Sequence, residues 1–220
     1  MSGRKLDSLI DEQHELAKQL VLEDRFGAIM TVAGADQAFL GDRVISAIVV
    51  CSYRSMDSMY IVERAHHVSK AGFPYIPTFL SFREAPPILH AWKRLRNEPD
   101  ILLVDGQGIA HPRGIGLASH LGVLLDAPTI GIAKSWLFGG FRQPKAVGRA
   151  SRLTAGGRQI GWVLLTRRGC NPIYISPGNK VSIESSLVIT RRCLAGHRLP
   201  EPSRLAHLHA NEVKQSLREE

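Results

Sequence analysis

The chain has 220 residues, 44% of them hydrophobic and 22% charged, which suits one globular domain over residues 1 to 220 with a single sizeable core. Its 28 Lys and Arg against 20 Asp and Glu leave a net charge of +8, which favours polyanionic partners through their phosphates without naming one. Cys51, Cys170 and Cys193 lack CxxC spacing, and the start has no unbroken apolar run. A disulfide-stapled fold, a cysteine zinc site, a signal peptide and a membrane span are thereby excluded as readings, and a cytoplasmic protein, a monomer, is expected.

In chain order, Leu6, Leu9, Ile10, Leu16, Leu20 and Val21 recur at roughly helical spacing, predicting an amphipathic helix over one side of the core. An apolar run over residues 28 to 35 then leads into Asp36. RVISAIVVCSY and SMYIVERAHHV are rich in Val and Ile and have strand length. With turns at 41 to 42 and at 54 to 58, they predict an antiparallel three-stranded meander. FPYIPTF, held by Pro74 and Pro77, is expected to be a stiff extended loop presenting Tyr75 and Ile76.

Pro86 and Pro87 suit the first turn of a helix, so the next helix is expected to begin near Ala85 and carry Ile88, Leu89, Trp92 and Leu95 on one face. Glu84 then falls just outside it, although Ser81 to Glu84 also matches the S-x-x-E capping box. PDILLVDG predicts a short strand buried on both faces, GIGLASHLGVLL a helix and PTIGIAK a second buried strand. Together they form a βαβ unit with parallel strands. Beyond residue 140 come a Gly-rich turn, strands at QIGWVLLT and IYIS, helices starting near Ser182 and Ser203, and a charged tail expected to fray.

Asp36 and Asp105 each close an apolar run, and ligands of open α/β sheets bind outside the carboxyl ends of strands. Singly, an Asp between a strand and a turn is ordinary turn chemistry. Gathered with Glu84, such carboxylates would repel unless a cation neutralised them, and Mg²⁺ is the usual hard cation held by carboxylates and phosphate oxygens. Gly106 and Gly108 allow backbone to approach a flat ligand. A zinc pair of His111 and His120 is disfavoured, because nine residues of separation match no standard ligand spacing.

The runs PYIPTFLSFREAPPILHAW, PDILLVDGQGIAHPRGIGLASHLGVLL and PTIGIAKSWLFG, with AGADQAF upstream, closely resemble the endonuclease V family. The resemblance implies a ribonuclease H-like α/β fold, in which a mixed central sheet, an antiparallel meander followed by parallel βαβ, is flanked by helices. It also implies Mg²⁺-dependent cleavage, with Mn²⁺ substituting, of DNA containing deoxyinosine, the product of adenine deamination. The cut falls on the 3′ side of the lesion and leaves 3′-hydroxyl and 5′-phosphate ends. Asp36, Glu84 and Asp105 are then the metal ligands, completed by His207, with His209 as its alternative should the register differ. Lys134 and His111 lie near the scissile phosphate. Pro74, Tyr75, Ile76 and Pro77 form a wedge beside the lesion, and Gly106, Gly108 and Leu137 contact the base, with Leu117 as a further wall. Thr78 departs from the glycine common at its position, which opens the choice of base. Two alternatives stay open: a lesion binder that does not cut, and an enzyme acting chiefly on inosine in RNA.

Overall fold

The computed structural model describes residues 3 to 53 and 59 to 219. Its elements are α1 (Gly3–Lys18), β1 (Thr31–Leu40), β2 (Arg43–Ser52), β3 (Ile61–Lys70), α2 (Leu80–Trp92), β4 (Ile101–Val104), α3 (Leu117–Leu124) and β5 (Thr129–Ala133). There follow β6 (Gly140–Phe141), β7 (Ala150–Ala155), β8 (Arg158–Leu164), β9 (Ile173–Asn179), α4 (Ile183–Arg192) and α5 (Glu201–Glu219). One nine-stranded sheet runs in the order β3-β2-β1-β4-β5-β9-β8-β7-β6. β1, β2 and β3 form the antiparallel meander, β4 and β5 add parallel to β1, and β9 returns antiparallel. This is the ribonuclease H-like arrangement, with α2 and α3 over one face and α4 and α5 over the other.

The layers follow from side-chain alternation. On β1, Ala33 and Ala35 face Ile88, Ala91 and Leu121 of α2 and α3, while Ala38 faces Ala210 of α5. β4 and β5 are wholly buried, so Leu102 and Val104 serve the first face and Ile101 and Leu103 the second. Each such side chain contributes roughly 1.5–3 kcal/mol relative to exposure.

Several elements differ from the expectations. The first strand starts later than residue 28 and runs on to Leu40, so Asp36 lies inside β1 rather than at its end. The reason is pairing: Asp36 to Leu40 continue against Ala47 to Arg43 around a two-residue hairpin with Gly41 at φ +58, where glycine is needed. The expected turn at 54 to 58 lies outside the described residues. α2 begins five residues before Ala85, so Glu84 is inside the helix, and Phe79, not Ser81, is its N-cap. A tight turn from Ile76 starts it, through Phe79 N–H to the Ile76 carbonyl (3.0 Å) and Phe82 N–H to the Phe79 carbonyl (3.1 Å). The missing N–H groups of Pro86 and Pro87 are tolerated because Ala85, Pro87 and Ile88 bury on that face.

Leu20 and Val21 fall past the end of α1. β6 and β7 were not anticipated. α4 starts as expected after Ser182, which caps Ser185 N–H at 3.1 Å. α5 begins two residues before Ser203, and the charged tail is helical to Glu219, where Val213 and Leu217 hold it against Leu40 and Val68. The three cysteines are free thiols. Among the described residues no helix is long and apolar enough to cross a membrane.

Candidate active site

The chain leaves the sheet centre through the meander and re-enters as β4 on the opposite side of β1, so a crevice opens beyond the carboxyl ends of β4 and β5. Asp105 is the residue after β4, and its N–H donates to the Ala35 carbonyl at 3.0 Å, beside Asp36. Lys134 is the residue after β5. Glu84 comes from α2, steadied by Gln37, whose side-chain amide donates to the Glu84 carbonyl at 2.9 Å and to the Ser46 hydroxyl at 2.6 Å.

Asp36, Glu84, Asp105 and Lys134 thus line one cavity of about 420 Å³. The Lys134 ammonium lies 2.5 Å from Asp105 Oδ2 and 3.4 Å from Asp36 Oδ2. Burial, then Asp105 and Asp36, push the Glu84 carboxyl up to about 8. Burial and Asp36 also raise Asp105, against the opposing pull of Lys134. For Lys134 burial works downward, but the two carboxylates outweigh it and hold the ammonium above the ordinary lysine value.

Among the described residues no three His, Cys, Asp or Glu side chains are placed, as they lie, to hold a metal ion. The ammonium of Lys134 stands against the oxygens that would ligate one. The donor chemistry nevertheless fits a hard divalent cation. Three carboxylates share one cavity, and two of them are driven toward their neutral forms by burial and then by one another's charge, a cost that a bound cation would offset.

Of the two late histidines, His207 is the one at the site: its Nδ1 is 2.8 Å from Asp36 Oδ2. Gly34 sets this, because a Cβ there would run into the backbone of Pro202, so α5 lies directly on β1. His209 points elsewhere, edge-on to His66 with ring centroids 5.3 Å apart. His207 is exposed and holds Asp36 from behind rather than lining the cavity.

His111 also lines the cavity, with its ring held by hydrogen bonds. It is buried, its Nδ1 accepts from Arg113 N–H at 3.2 Å and its Nε2 donates to the Thr78 carbonyl at 3.1 Å, so neither nitrogen is free. Burial, with Arg113 nearby, lowers its pKa to about 4 and keeps it neutral. The same carbonyl accepts from Gln13 (3.0 Å) and Arg113 (2.8 Å), and Arg113 also donates to the Thr78 hydroxyl at 2.7 Å. These donors hold Thr78 at φ +67, a left-handed conformation strained for a β-branched residue, where glycine would be at ease. His120 is buried with its ring edge-on to Phe82.

Tyr75, 69% exposed, and Pro77 line the mouth, whereas Pro74 and Ile76 do not. Gly106, Leu117 and Leu137 line the cavity. Gly108 does not: its N–H donates to the Ser176 hydroxyl at 2.8 Å, and a Cβ there would strike the Pro177 carbonyl, so that glycine serves the packing of the loop on β9. Gln107 and Trp136 are among the lining residues that were not anticipated. Gln107 is buried in the wall, with Nε2 on the Ser135 carbonyl and Oε1 without a partner among the described residues. Trp136 is 56% exposed, with its indole N–H fixed to the Gly139 carbonyl at 2.8 Å. The adjacency of Gln107 to Asp105 and of Trp136 to Lys134 was the available signal.

A mixed α/β sheet whose central strands, with α2, gather three acidic side chains and a lysine in one cavity beside an apolar wall defines the nuclease class of this fold. The family model for endonuclease V matches residues 14 to 208. Endonuclease V of Archaeoglobus fulgidus is 42% identical over 219 residues, 99% of this chain and 97% of that protein. The crystal structure of the Bacillus subtilis endonuclease V superposes with a TM-score of 0.90 at 33% identity, covering 100% of this chain and 95% of the other. That of the Ciona intestinalis endonuclease V, in complex with a 23mer DNA containing an inosine followed by a ribo-adenosine, gives 0.86 at 25% identity and covers 99% and 100%. The chain belongs to the endonuclease V family.

Proposed function

We propose that the chain is a divalent-metal-dependent endonuclease that takes hypoxanthine from a deoxyinosine-containing DNA strand into its cavity and hydrolyses a phosphodiester on the 3′ side, leaving 3′-hydroxyl and 5′-phosphate ends. The observation that carries the reading is the pairing, in one cavity, of Asp36, Glu84, Asp105 and Lys134 with an apolar wall of Leu117 and Leu137 beside an exposed Tyr75. The inosine-bearing DNA held by the Ciona intestinalis relative supports the choice of lesion.

Mg²⁺, with Mn²⁺ as a substitute, is assigned to Asp36, Glu84 and Asp105, with His207 orienting Asp36. When bound, it would lower the pKa of the attacking water and offset charge on the phosphate oxygens. Lys134 shares that electrostatic work from the same side. Tyr75, between two prolines that limit the freedom of its loop, fills the space left in the base stack, and extrusion of the base costs a few kcal/mol in unstacking. His111, through Thr78, holds the root of that loop.

The test is a nicking assay on labelled strands carrying one inosine or adenosine, as DNA and as RNA, with Mg²⁺, Mn²⁺ or EDTA. The expected result is a metal-dependent product from the inosine DNA strand alone among the DNA arms. Tight inosine binding without a product under any metal would reject the enzyme, and preferential cutting of the RNA arm would reassign the substrate.

A further inference from the structure

The charge of the chain is concentrated. Residues 141 to 170 hold seven Lys and Arg and no Asp or Glu, so this stretch carries +7 of the net +8, while the other 190 residues hold 21 basic and 20 acidic side chains. The stretch comprises nearly all of the wing formed by β6, β7 and β8, which ends the sheet on the side away from the meander. All seven basic residues are exposed, and none is in an ion pair among the described residues.

The wing is joined to the cavity by a short link. Lys134 stands at its start, Trp136 and Leu137 line the cavity within it, and β6 opens at Gly140. At the far end of the link Phe141 is anchored edge-on to Tyr174 of β9, ring centroids 5.5 Å apart. An uncompensated cationic surface repels itself, and a polyanion offsets that cost.

We propose that the β6 to β8 wing is a second nucleic-acid contact surface, which takes the phosphates of the strand where it leaves the cavity past Trp136. This rests on the nuclease reading for the identity of the polyanion. The contacts are to backbone, so they carry affinity and register and no base preference. Because the phosphates held there do not react, the wing strengthens ground and transition states alike.

The experiment compares the full chain with the triple variant Lys145→Ala/Arg152→Ala/Arg158→Ala and with a control triple, Lys18→Ala/Lys70→Ala/Lys93→Ala, which removes three exposed cations outside the wing. Binding to an inosine strand and to the same strand with adenine is measured from about 50 to 200 mM salt. For the wing variant, the slope of log affinity against log salt is expected to flatten by about 0.7 to 0.9 for each phosphate that is no longer neutralised, on both strands. KM rises while kcat at saturating substrate is held. The control triple is expected to keep the parent slope.

Equal slopes for the wing variant and the parent protein, or equal flattening in both triples, would overturn the proposal. So would tighter binding of the wing to anionic lipid vesicles than to either strand. Measurement on the adenine strand keeps the test independent of lesion recognition: failure to prefer or cut inosine would count against the proposed function and leave the slopes readable.

Discussion

Replacing Glu84 by Gln tests the electrostatics of the cavity without changing its shape. The fold raises this carboxyl from an ordinary 4.5 to about 8. Below pH 4.5 the group is protonated in folded and unfolded chains alike, and its environment costs nothing. Between 4.5 and 8 the unfolded chain releases the proton while the folded one keeps it, so metal-free stability falls as pH rises, and above 8 the full cost remains. At 1.36 kcal/mol per pH unit the shift corresponds to at most about 5 kcal/mol, and solvent reaching this partly exposed side chain reduces that to about 2–3 kcal/mol. Glutamine cannot titrate. In urea denaturation with EDTA, the stability of Glu84→Gln minus that of the parent protein is therefore expected to grow by about 2–3 kcal/mol from pH 4.5 to pH 8.5. A difference that does not change with pH would refute the assignment of Glu84 to a crowded acidic cavity.

Lys134→Met removes the ammonium that faces Asp36 and Asp105; in EDTA it is expected to destabilise the protein by about 2–3 kcal/mol, and with Mg²⁺ to lower single-turnover cleavage by roughly 10²-fold. A rate within twofold of the parent's would remove Lys134 from the site. Gln13→Ala deletes one of three donors on the Thr78 carbonyl, so hydrogen exchange over residues 73 to 79 should quicken and KM rise severalfold with kcat held; unchanged exchange would show that α1 does not brace the loop. Trp136 is the exposed member of three tryptophans, Trp92 being buried and Trp162 half-buried. Its fluorescence is expected to be quenched as an inosine strand binds, and Trp136→Phe should abolish most of that change; an identical quench in the variant would place the strand elsewhere.

The extent to which these features were legible in the sequence differed with the kind of signal. The buried strands at 101 to 104 and 129 to 133 were plain from unbroken apolar runs, and with them the places of Asp105 and Lys134. Asp36 was found although its position was misread, because a strand that outlasts its parallel neighbour gives no local sign of where the neighbour stops. The proline rule failed at Glu84 because packing of Ala85 and Ile88 outweighed two missing hydrogen bonds. His111 and Gly108 had parts invisible from nearby residues, since their partners include Thr78, 33 residues away, and Ser176 on β9. The choice between His207 and His209 depended on how α5 lies on β1, a close approach that Gly34 permits from the far end of the chain. β7 was missed because ASRLTA is polar enough to read as loop, and β6 because two residues carry no period.

The proposed hydrolysis depends on the cavity acids capturing a divalent cation. Crystals soaked in Mn²⁺ and measured for anomalous scattering test this directly. The predicted result is a peak within about 2–2.5 Å of carboxylate oxygens from Asp36 and Asp105, with Lys134 swung away, and its loss in Asp105→Asn. Strong peaks only elsewhere, or a peak in the cavity that survives that substitution, would contradict it.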